Sequence, residues 1–299
     1  MWAGSFIADM SDITTTLCRI GDAICASPPI KWALGTPALG ERSTPGTYVE
    51  WEFQNAPSSW NCFRPYNRLE GKEILDIGCA HGGKPTYYAL HGARHVTAID
   101  KDEARIEVAR RFAQQKGAHN ILFEAQNATT LPFPPGHFDL VIYNDSFEHV
   151  EEPAASLRAA YRVLRKGGTV NIAFPPYGSP WGAHLFAHIR IPWAQFLFPE
   201  ETLVSLWKTR HDAQEKESLV YSGQRLLGIR AATTLAELGH LNRMNIRRFE
   251  DIVATTPFRV LLYSLRTIRN LFGFATHLTL LREHLVTRLV AVLGKDEEA

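Results

Sequence analysis

The stretch EILDIGCAHGG, Glu73–Gly83, decides the fold of this chain. It opens with an apolar run that carries a single carboxylate, Asp76, and it ends in three glycines, Gly78, Gly82 and Gly83. Such a run is typical of a buried parallel strand that enters a turn before a helix. Glycines let the backbone of the turn approach a ligand, and the first N–H groups of a helix have no partner within it. The stretch therefore predicts a ligand-binding turn at the edge of a parallel sheet.

A second apolar run, His95–Ile99, ends in Asp100. Asp100 follows Asp76 by about 24 residues, near the spacing of a ribose-binding carboxylate in a nucleotide-binding βαβ unit. The two runs together predict a site for a nucleoside cofactor. The glycine spacing, G-x-x-x-G-G, differs from the dinucleotide fingerprint G-x-G-x-x-G. A P-loop is excluded because Lys84 is followed by Pro85 and not by serine or threonine.

Three further stretches follow in order, namely QNATTLPF (126–133), PPGHFDLVIYNDSFEHV (134–150) and LRAAYRVLRKGGTVNIAFPP (157–176). With them the chain resembles class I S-adenosylmethionine-dependent methyltransferases, in particular the large group with an LPF…FDLV…EHV…LKPGG pattern. The resemblance covers residues 70 to 176 closely and the remainder more loosely. It implies an α/β fold with a doubly wound, seven-stranded, mostly parallel sheet, and S-adenosyl-L-methionine as the cofactor. It favours this fold over that of a Rossmann dehydrogenase.

Periodicity predicts how the elements are arranged along the chain. Strands are expected at 73–77, 95–99, 120–124, 138–143 and 168–174, and helices at 84–91, 102–117 and 153–165. The alternation then stops, and residues 175–239 are predicted to form an inserted cap over the substrate. Residues 1–69 are predicted to form an arm with a short helix at 11–26 and a proline-rich segment at 27–46. The cofactor-binding domain would comprise 70–174 and 240–299, with a helix at 244–254 and final strands at 258–268 and 284–293.

The resemblance implies roles for the residues that follow the strands. Asp76 would order the glycine turn around the amino acid moiety of the cofactor, above a floor formed by Gly78, Ala80 and Gly82. Asp100 would accept hydrogen bonds from both ribose hydroxyls.

Further residues would line the rest of the cofactor. Lys101 would flank the adenine, and Asn144 and Asp145 would face the cofactor edge after the fourth strand. Asn127 and Ala128 stand where the group has an aspartate and a small residue beside the adenine, and an amide oxygen can still accept from the exocyclic amine. Cys79 is assigned to the cofactor loop as a small packed residue, because nothing nearby in the sequence lowers the pKa of its thiol.

Substrate and catalytic residues are expected mainly in the aromatic-rich segment 175–239. Tyr177, Trp181 and His188 are predicted to contact the substrate. Methyl transfer to a weakly acidic acceptor needs a base, for which His184 is the first candidate and His149, in the EHV element, the second. A histidine among aromatic residues is often a packing residue, and this alternative stays open. The sequence shows no metal-ligand spacing of histidine with carboxylates, so no metal is predicted.

Composition limits the partners and the compartment. The chain has 299 residues and a formal net charge of +1, which gives no electrostatic case for nucleic acid. Four cysteines without disulfide density, no basic N-terminal region and no long apolar run predict a cytoplasmic protein without a signal peptide or an integral membrane segment. Residues 258–293 also allow a basic amphipathic segment in peripheral contact with a membrane. A homodimer is left open.

These observations favour transfer of a methyl group to a small molecule, with an oxygen acceptor preferred over nitrogen or carbon. Two alternatives remain. One is a methyltransferase-like protein that binds S-adenosylmethionine without transferring a methyl group. The other is a protein or RNA methyltransferase, although the sequence shows no long basic surface for such a substrate.

Overall fold

The computed structural model describes residues 3–28, 45–215, 231–239, 242–268 and 272–296. Most of the proline-rich segment predicted at 27–46 lies outside the described residues. The chain divides into two compact units. The sheet unit comprises Thr44–Phe174, Met244–Leu265 and Arg288–Ala299, and the helical unit comprises Met1–Ser43, Pro175–Arg243 and Arg266–Thr287. In this division residues 44–69 belong with the sheet and residues 1–43 with 175–243.

Seven strands form one sheet. They are β1 (Glu73–Ile77), β2 (His95–Asp100), β3 (Ile121–Ala125), β4 (Phe138–Asn144), β5 (Leu164–Phe174), β6 (Arg259–Thr267) and β7 (Val286–Gly294). The spatial order is β3-β2-β1-β4-β5-β7-β6. The first five strands are parallel to one another, and β7 is antiparallel to β5. The predicted α/β fold with a seven-stranded, mostly parallel sheet is confirmed, and 258–293 supplies its last two strands.

Helices of the sheet unit connect and cover the strands. They are α2 (Pro45–Trp60), α3 (Gly83–Leu90), α4 (Glu103–Lys116), α5 (Pro153–Val163) and α10 (Ile246–Ala254), with a 3-10 turn at Phe147–His149. Local sequence explains their ends. The Asp102 side chain caps the N-terminus of α4, and Gly117, with a φ of 74°, ends it in the left-handed conformation.

The core of the sheet unit is centred on β1, where Ile74, Leu75 and Ile77 are buried. Both neighbours of β1 are parallel to it, β2 on one side and β4 on the other. The carboxyl ends of these three strands therefore meet at one edge of the sheet, which is where ligands bind in open α/β folds. This arrangement brings the glycine turn, Asp100 and Asn144 to a common edge.

Two elements differ from the sequence-based expectation. The strand β5 begins at Leu164, before Gly167 and Gly168, whereas the sequence predicted a helix to residue 165 and a strand only from 168. Between the pairs Phe138–Leu164 and Leu140–Thr169, β5 has more residues than β4, and they form a bulge in which Gly167 has a φ of 72°. The aromatic-rich stretch before β1 is the helix α2, which packs on α3.

The helical unit has an apolar core of its own. Its helices are α1 (Ala3–Ala26), α6 (Leu185–Ile189), α7 (Ala194–Leu197), α8 (Glu200–Glu215), α9 (Leu235–Gly239) and α11 (Thr279–Leu285). The core joins Cys18 of α1 with Leu185 and Ile189 of α6 and with Leu203 and Leu206 of α8. The first helix is longer than predicted, and it joins this core through Cys18, which is buried, and Leu17, which is partly buried against it. Within the described ranges, no helix is both long and apolar enough to cross a membrane.

Candidate functional site

The glycine turn between β1 and α3 is held by the protein's own packing. The N–H groups of Gly78 and Cys79 donate to the Ile99 carbonyl at 2.8 and 3.0 Å. A Cβ atom at Gly78 would lie 2.4 Å from the Cβ of Ser146, and one at Gly82, where φ is 85°, would lie 2.5 Å from the Cβ of Ala109. Both positions therefore require glycine for reasons within the fold, whether or not a ligand lies above them.

Asp100 joins the end of β2 to this turn. Its Oδ2 accepts a hydrogen bond from the Ala80 N–H at 3.0 Å, and its Oδ1 accepts one from the Asp102 N–H at 3.0 Å. The Arg105 guanidinium lies 3.6 Å from Oδ2. The side chain is only 7% exposed. A carboxylate has lone pairs for about four hydrogen bonds, so Asp100 orders the loop and keeps acceptor capacity for a ligand.

Asp76, inside β1, is buried beside other charged groups. Burial raises the pKa of its carboxyl to about 7, against the opposing effect of Lys84, and the charges of Glu52 and Asp100 raise the pKa further. Glu52, on α2, is likewise a buried carboxyl group with a raised pKa. Burial raises its pKa to about 7, with Lys84 acting in the opposite direction. Glu52 was not among the predicted site residues, and its only signal in the sequence is a carboxylate between the aromatic residues Trp51 and Phe53.

A second charged cluster follows β4. Asp145, in the left-handed region with a φ of 59°, accepts hydrogen bonds from the Lys84 ammonium at 3.1 Å and from the Arg288 guanidinium at 2.9 Å. Arg288 also donates to the Asn144 side-chain oxygen at 3.0 Å, and Lys84 donates to the Asn144 carbonyl at 3.3 Å. The predicted residues Asn144 and Asp145 thus lie in an ion-pair network. Lys84 and Arg288, its two cations, were missed, and no local signal marks Arg288 because it lies on the last strand.

The residues predicted beside the adenine have other contacts in the structure. Lys101 forms an exposed ion pair with Glu151 at 3.2 Å. The side-chain oxygen of Asn127 accepts two hydrogen bonds from Thr129, each at 2.8 Å, which use both of its lone pairs. That oxygen could accept from an adenine amine in place of the bond from the Thr129 hydroxyl. Ala128 is half-buried in the same turn.

Cys79 is buried in the glycine turn, as expected of a packed residue. Burial, and after it the charges of Asp100 and Asp76, raise the pKa of its thiol well above the usual value. The group is therefore a neutral thiol at physiological pH and is unsuited to nucleophilic chemistry.

The catalytic candidates fall in different units. His149 belongs to the sheet unit, on the 3-10 turn after β4, and its N–H donates to the Ser146 carbonyl at 2.9 Å. Phe147 anchors that turn through buried ring contacts with Tyr143 and Phe249. His184 belongs to the helical unit, where it is the residue before α6.

The predicted substrate residues all belong to the helical unit. Trp181 packs against Phe186 with ring centroids 4.9 Å apart. The His188 ring lies 3.7 Å from that of Trp207, centroid to centroid. Tyr177 packs on the unit's apolar core, and burial raises the pKa of its hydroxyl, which the nearby Arg243 opposes. Each of these rings has a packing role within the unit.

Comparison with known proteins agrees with this geometry. Residues 75–172, from β1 into β5, match the family described as "Methyltransferase domain". A solved S-adenosylmethionine-dependent methyltransferase from Mesorhizobium loti superposes with a TM-score of 0.50 at 17% identity, covering 82% of this chain and 97% of that one, which establishes the shared fold. The sheet unit contains a class I S-adenosylmethionine-dependent methyltransferase domain. The predicted resemblance and the predicted cofactor, S-adenosyl-L-methionine, are confirmed for this domain.

Curated relatives point to one kind of chemistry. The chain is 35% identical over 114 residues to a ubiquinone biosynthesis O-methyltransferase of Azotobacter vinelandii, covering 38% of this chain and 49% of that protein. It is 35% identical over 137 residues to the Pseudomonas aeruginosa protein of the same name, covering 45% and 56% of the two chains. This chain thus matches roughly half the length of these relatives.

Proposed function

We propose that this chain transfers the methyl group of S-adenosylmethionine to an oxygen atom of a small molecule. The observation that carries the proposal is the arrangement at the carboxyl edge of the sheet, where Asp76 near the end of β1, the glycine turn after it and Asp100 at the end of β2 come together. The curated relatives are named for O-methylation in ubiquinone biosynthesis, which supports oxygen as the acceptor and a hydroxylated aromatic compound as the first substrate to try.

The hydrogen-bonding groups at this edge match those of the cofactor. Asp100 has acceptor capacity for the two ribose hydroxyls, and the turn that it orders would lie under the amino acid moiety. The cofactor supplies an electrophilic methyl group on a sulfonium. The residues of this chain would bind the cofactor and hold the acceptor oxygen about 3 Å from that methyl group and in line with it.

Residues are also proposed for acceptor binding and for removal of the acceptor proton. Tyr177, Trp181 and His188 remain the proposed substrate contacts, and residues 175–239 the proposed cap. A base must take the acceptor proton, and His184 is proposed first and His149 second. Peripheral membrane contact and a homodimer remain predictions of the sequence.

A turnover assay tests the proposal. The purified chain would be incubated with S-adenosylmethionine and a panel of acceptors that includes hydroxylated aromatic precursors of ubiquinone, amines and carbon acids. We expect S-adenosylhomocysteine to accumulate together with an oxygen-methylated product, identified by its mass and by fragmentation. A nitrogen- or carbon-methylated product would overturn the choice of acceptor atom. Tight cofactor binding without product across the panel would favour the alternative of a binding protein.

A further inference from the structure

Glu52 is a buried carboxylate that lies against the glycine turn. It is 4% exposed and comes from α2, outside the segment that matches the methyltransferase family. A Cβ atom built at Gly83 would lie 2.5 Å from the Cβ of Glu52, so the two backbones are in close contact at the start of α3. The Oε2 atom of Glu52 has no hydrogen-bond partner among the described residues. A buried polar atom without a partner is costly unless something satisfies it.

Charged groups surround this carboxylate. Lys84, Asp145, Arg105 and Asp76 all act on it electrostatically, and Tyr48 forms a hydrogen bond with it. The Lys84 ammonium is directed elsewhere, to Asp145 and to the Asn144 carbonyl.

The carboxyl groups of this region outnumber its cations. The carboxyl groups are Glu52, Asp76, Asp100 and Asp145, and the cations are Lys84, Arg105 and Arg288. Because burial raises the pKa values of Glu52 and Asp76 to about 7, a ligand that brings a positive charge with hydrogen-bond donors would stabilise their ionised forms.

We propose that Glu52 binds the α-ammonium group in the amino acid arm of S-adenosylmethionine. The inference rests on the proposed function and assigns one contact of the cofactor to a residue of α2. An ammonium group has three N–H donors and one positive charge, which match an acceptor-only carboxylate with a vacant oxygen. The site would select ligands that carry the amino acid arm over those that carry only the nucleoside.

The protonation of Glu52 agrees with this assignment. Burial raises the pKa of Glu52 to about 7, so a large fraction of the unliganded protein carries the neutral acid near neutral pH. A bound ammonium favours the ionised form, which lowers this pKa, and binding below neutral pH therefore releases a proton.

Two ligands and two variants separate this role from a structural one. S-adenosylhomocysteine has the amino acid arm, whereas 5′-methylthioadenosine lacks it. Glu52→Gln keeps the size of the side chain and removes its charge. Glu50→Gln is the matched control, because Glu50 lies on the same helix and pairs with Lys116 near the surface.

Calorimetry would measure both ligands with the wild type and the two variants, after thermal unfolding confirms that each variant is folded. We expect Glu52→Gln to weaken S-adenosylhomocysteine binding about tenfold or more, since a hydrogen bond between charged groups is lost. Its affinity for 5′-methylthioadenosine should equal that of the wild type. Glu50→Gln should leave both affinities unchanged.

A measurement on the wild type alone does not depend on how the variants fold. At about pH 6.5, titration in buffers of different ionisation enthalpy should show proton release with S-adenosylhomocysteine and none with 5′-methylthioadenosine. Unchanged S-adenosylhomocysteine affinity in Glu52→Gln, an equal loss for both ligands, or no difference in proton release would each overturn the assignment. A wild-type chain that bound neither ligand would instead refute the proposed function itself.

Discussion

Replacing Asp100 with alanine removes the carboxylate that holds the glycine turn to the end of β2. Two backbone N–H groups, those of Ala80 and Asp102, would lose their acceptors, and the Arg105 guanidinium would lose a partner at 3.6 Å. A hydrogen bond to a charged group contributes roughly 1.5–3 kcal/mol, and these two are partly buried, so the lower end applies. The expected fall in the free energy of unfolding is about 3 kcal/mol.

Thermal unfolding followed by calorimetry measures this loss. A shift of roughly 2–4 °C per kcal/mol is typical of a domain of this size, so the melting temperature should fall by roughly 6–12 °C. The adjacent substitution Lys101→Ala is the control. It removes only an exposed ion pair with Glu151 and should change the stability by less than about 0.5 kcal/mol.

Binding of S-adenosylhomocysteine provides the second measurement. Asp100→Ala should weaken it about tenfold or more, because the ribose loses its acceptor and the turn loses its order. A melting temperature equal to that of Lys101→Ala would refute the structural part of the reasoning. Normal affinity in a destabilised Asp100→Ala variant would remove Asp100 from the cofactor site.

Three further outcomes are expected. Gly82→Ala should destabilise the protein by about 3 kcal/mol, because the new Cβ would overlap Ala109 and the residue has a φ of 85°. The control Gly117→Ala, at a φ of 74° with open space around it, should cost only about 1 kcal/mol of backbone strain, and equal melting temperatures for the two variants would contradict the packing argument. The pKa of Glu52 is about 7 in the folded state against an ordinary value of 4.5, so between these two pH values the folded state binds more protons than the unfolded state. The contribution of this protonation to stability is therefore full below about pH 4.5 and is lost as the pH rises through 7. Glu52→Gln should therefore stabilise the protein relative to the wild type more at about pH 8 than at about pH 5, and a pH-independent difference in urea unfolding would count against the raised pKa. His184→Ala should lower turnover roughly a hundredfold with unchanged S-adenosylhomocysteine affinity if this histidine is the base, and normal turnover on the true acceptor would exclude it.

The site could be predicted in part from local sequence. Asp76, Gly78 and Asp100 were identifiable because each lies at or next to the end of an apolar strand, and parallel strands place such ends at one edge. Gly82 was identifiable because it belongs to the glycine-rich turn before the next helix. The structure shows why Gly78 and Gly82 must be glycine: a Cβ at these positions would overlap Ser146 and Ala109. The catalytic role of His184 remains a prediction, because a base is defined by its distance from the acceptor and not by its neighbours in sequence.

The fold class was determined by the sequence itself. A strand buried on both faces is a continuous apolar run, and a turn that admits no Cβ must be glycine, so Glu73–Gly83 and the runs after it specify a parallel sheet locally. The ordered motifs between residues 126 and 176 then identify the class I methyltransferase domain.

Only the tertiary structure decided which charged groups meet at the sheet edge. Glu52 on α2, Lys84 on α3 and Arg288 on β7 are distant in the sequence, and their contacts arise because the sheet order places β7 beside β5 and because α2 packs on α3. Tertiary contacts likewise place α1 in the core of the helical unit, and the pairing of β5 with β4 makes the Lys166–Gly168 stretch a bulge. Pairing between distant segments depends on which buried surfaces and hydrogen bonds fit together, and no short-range pattern records that choice.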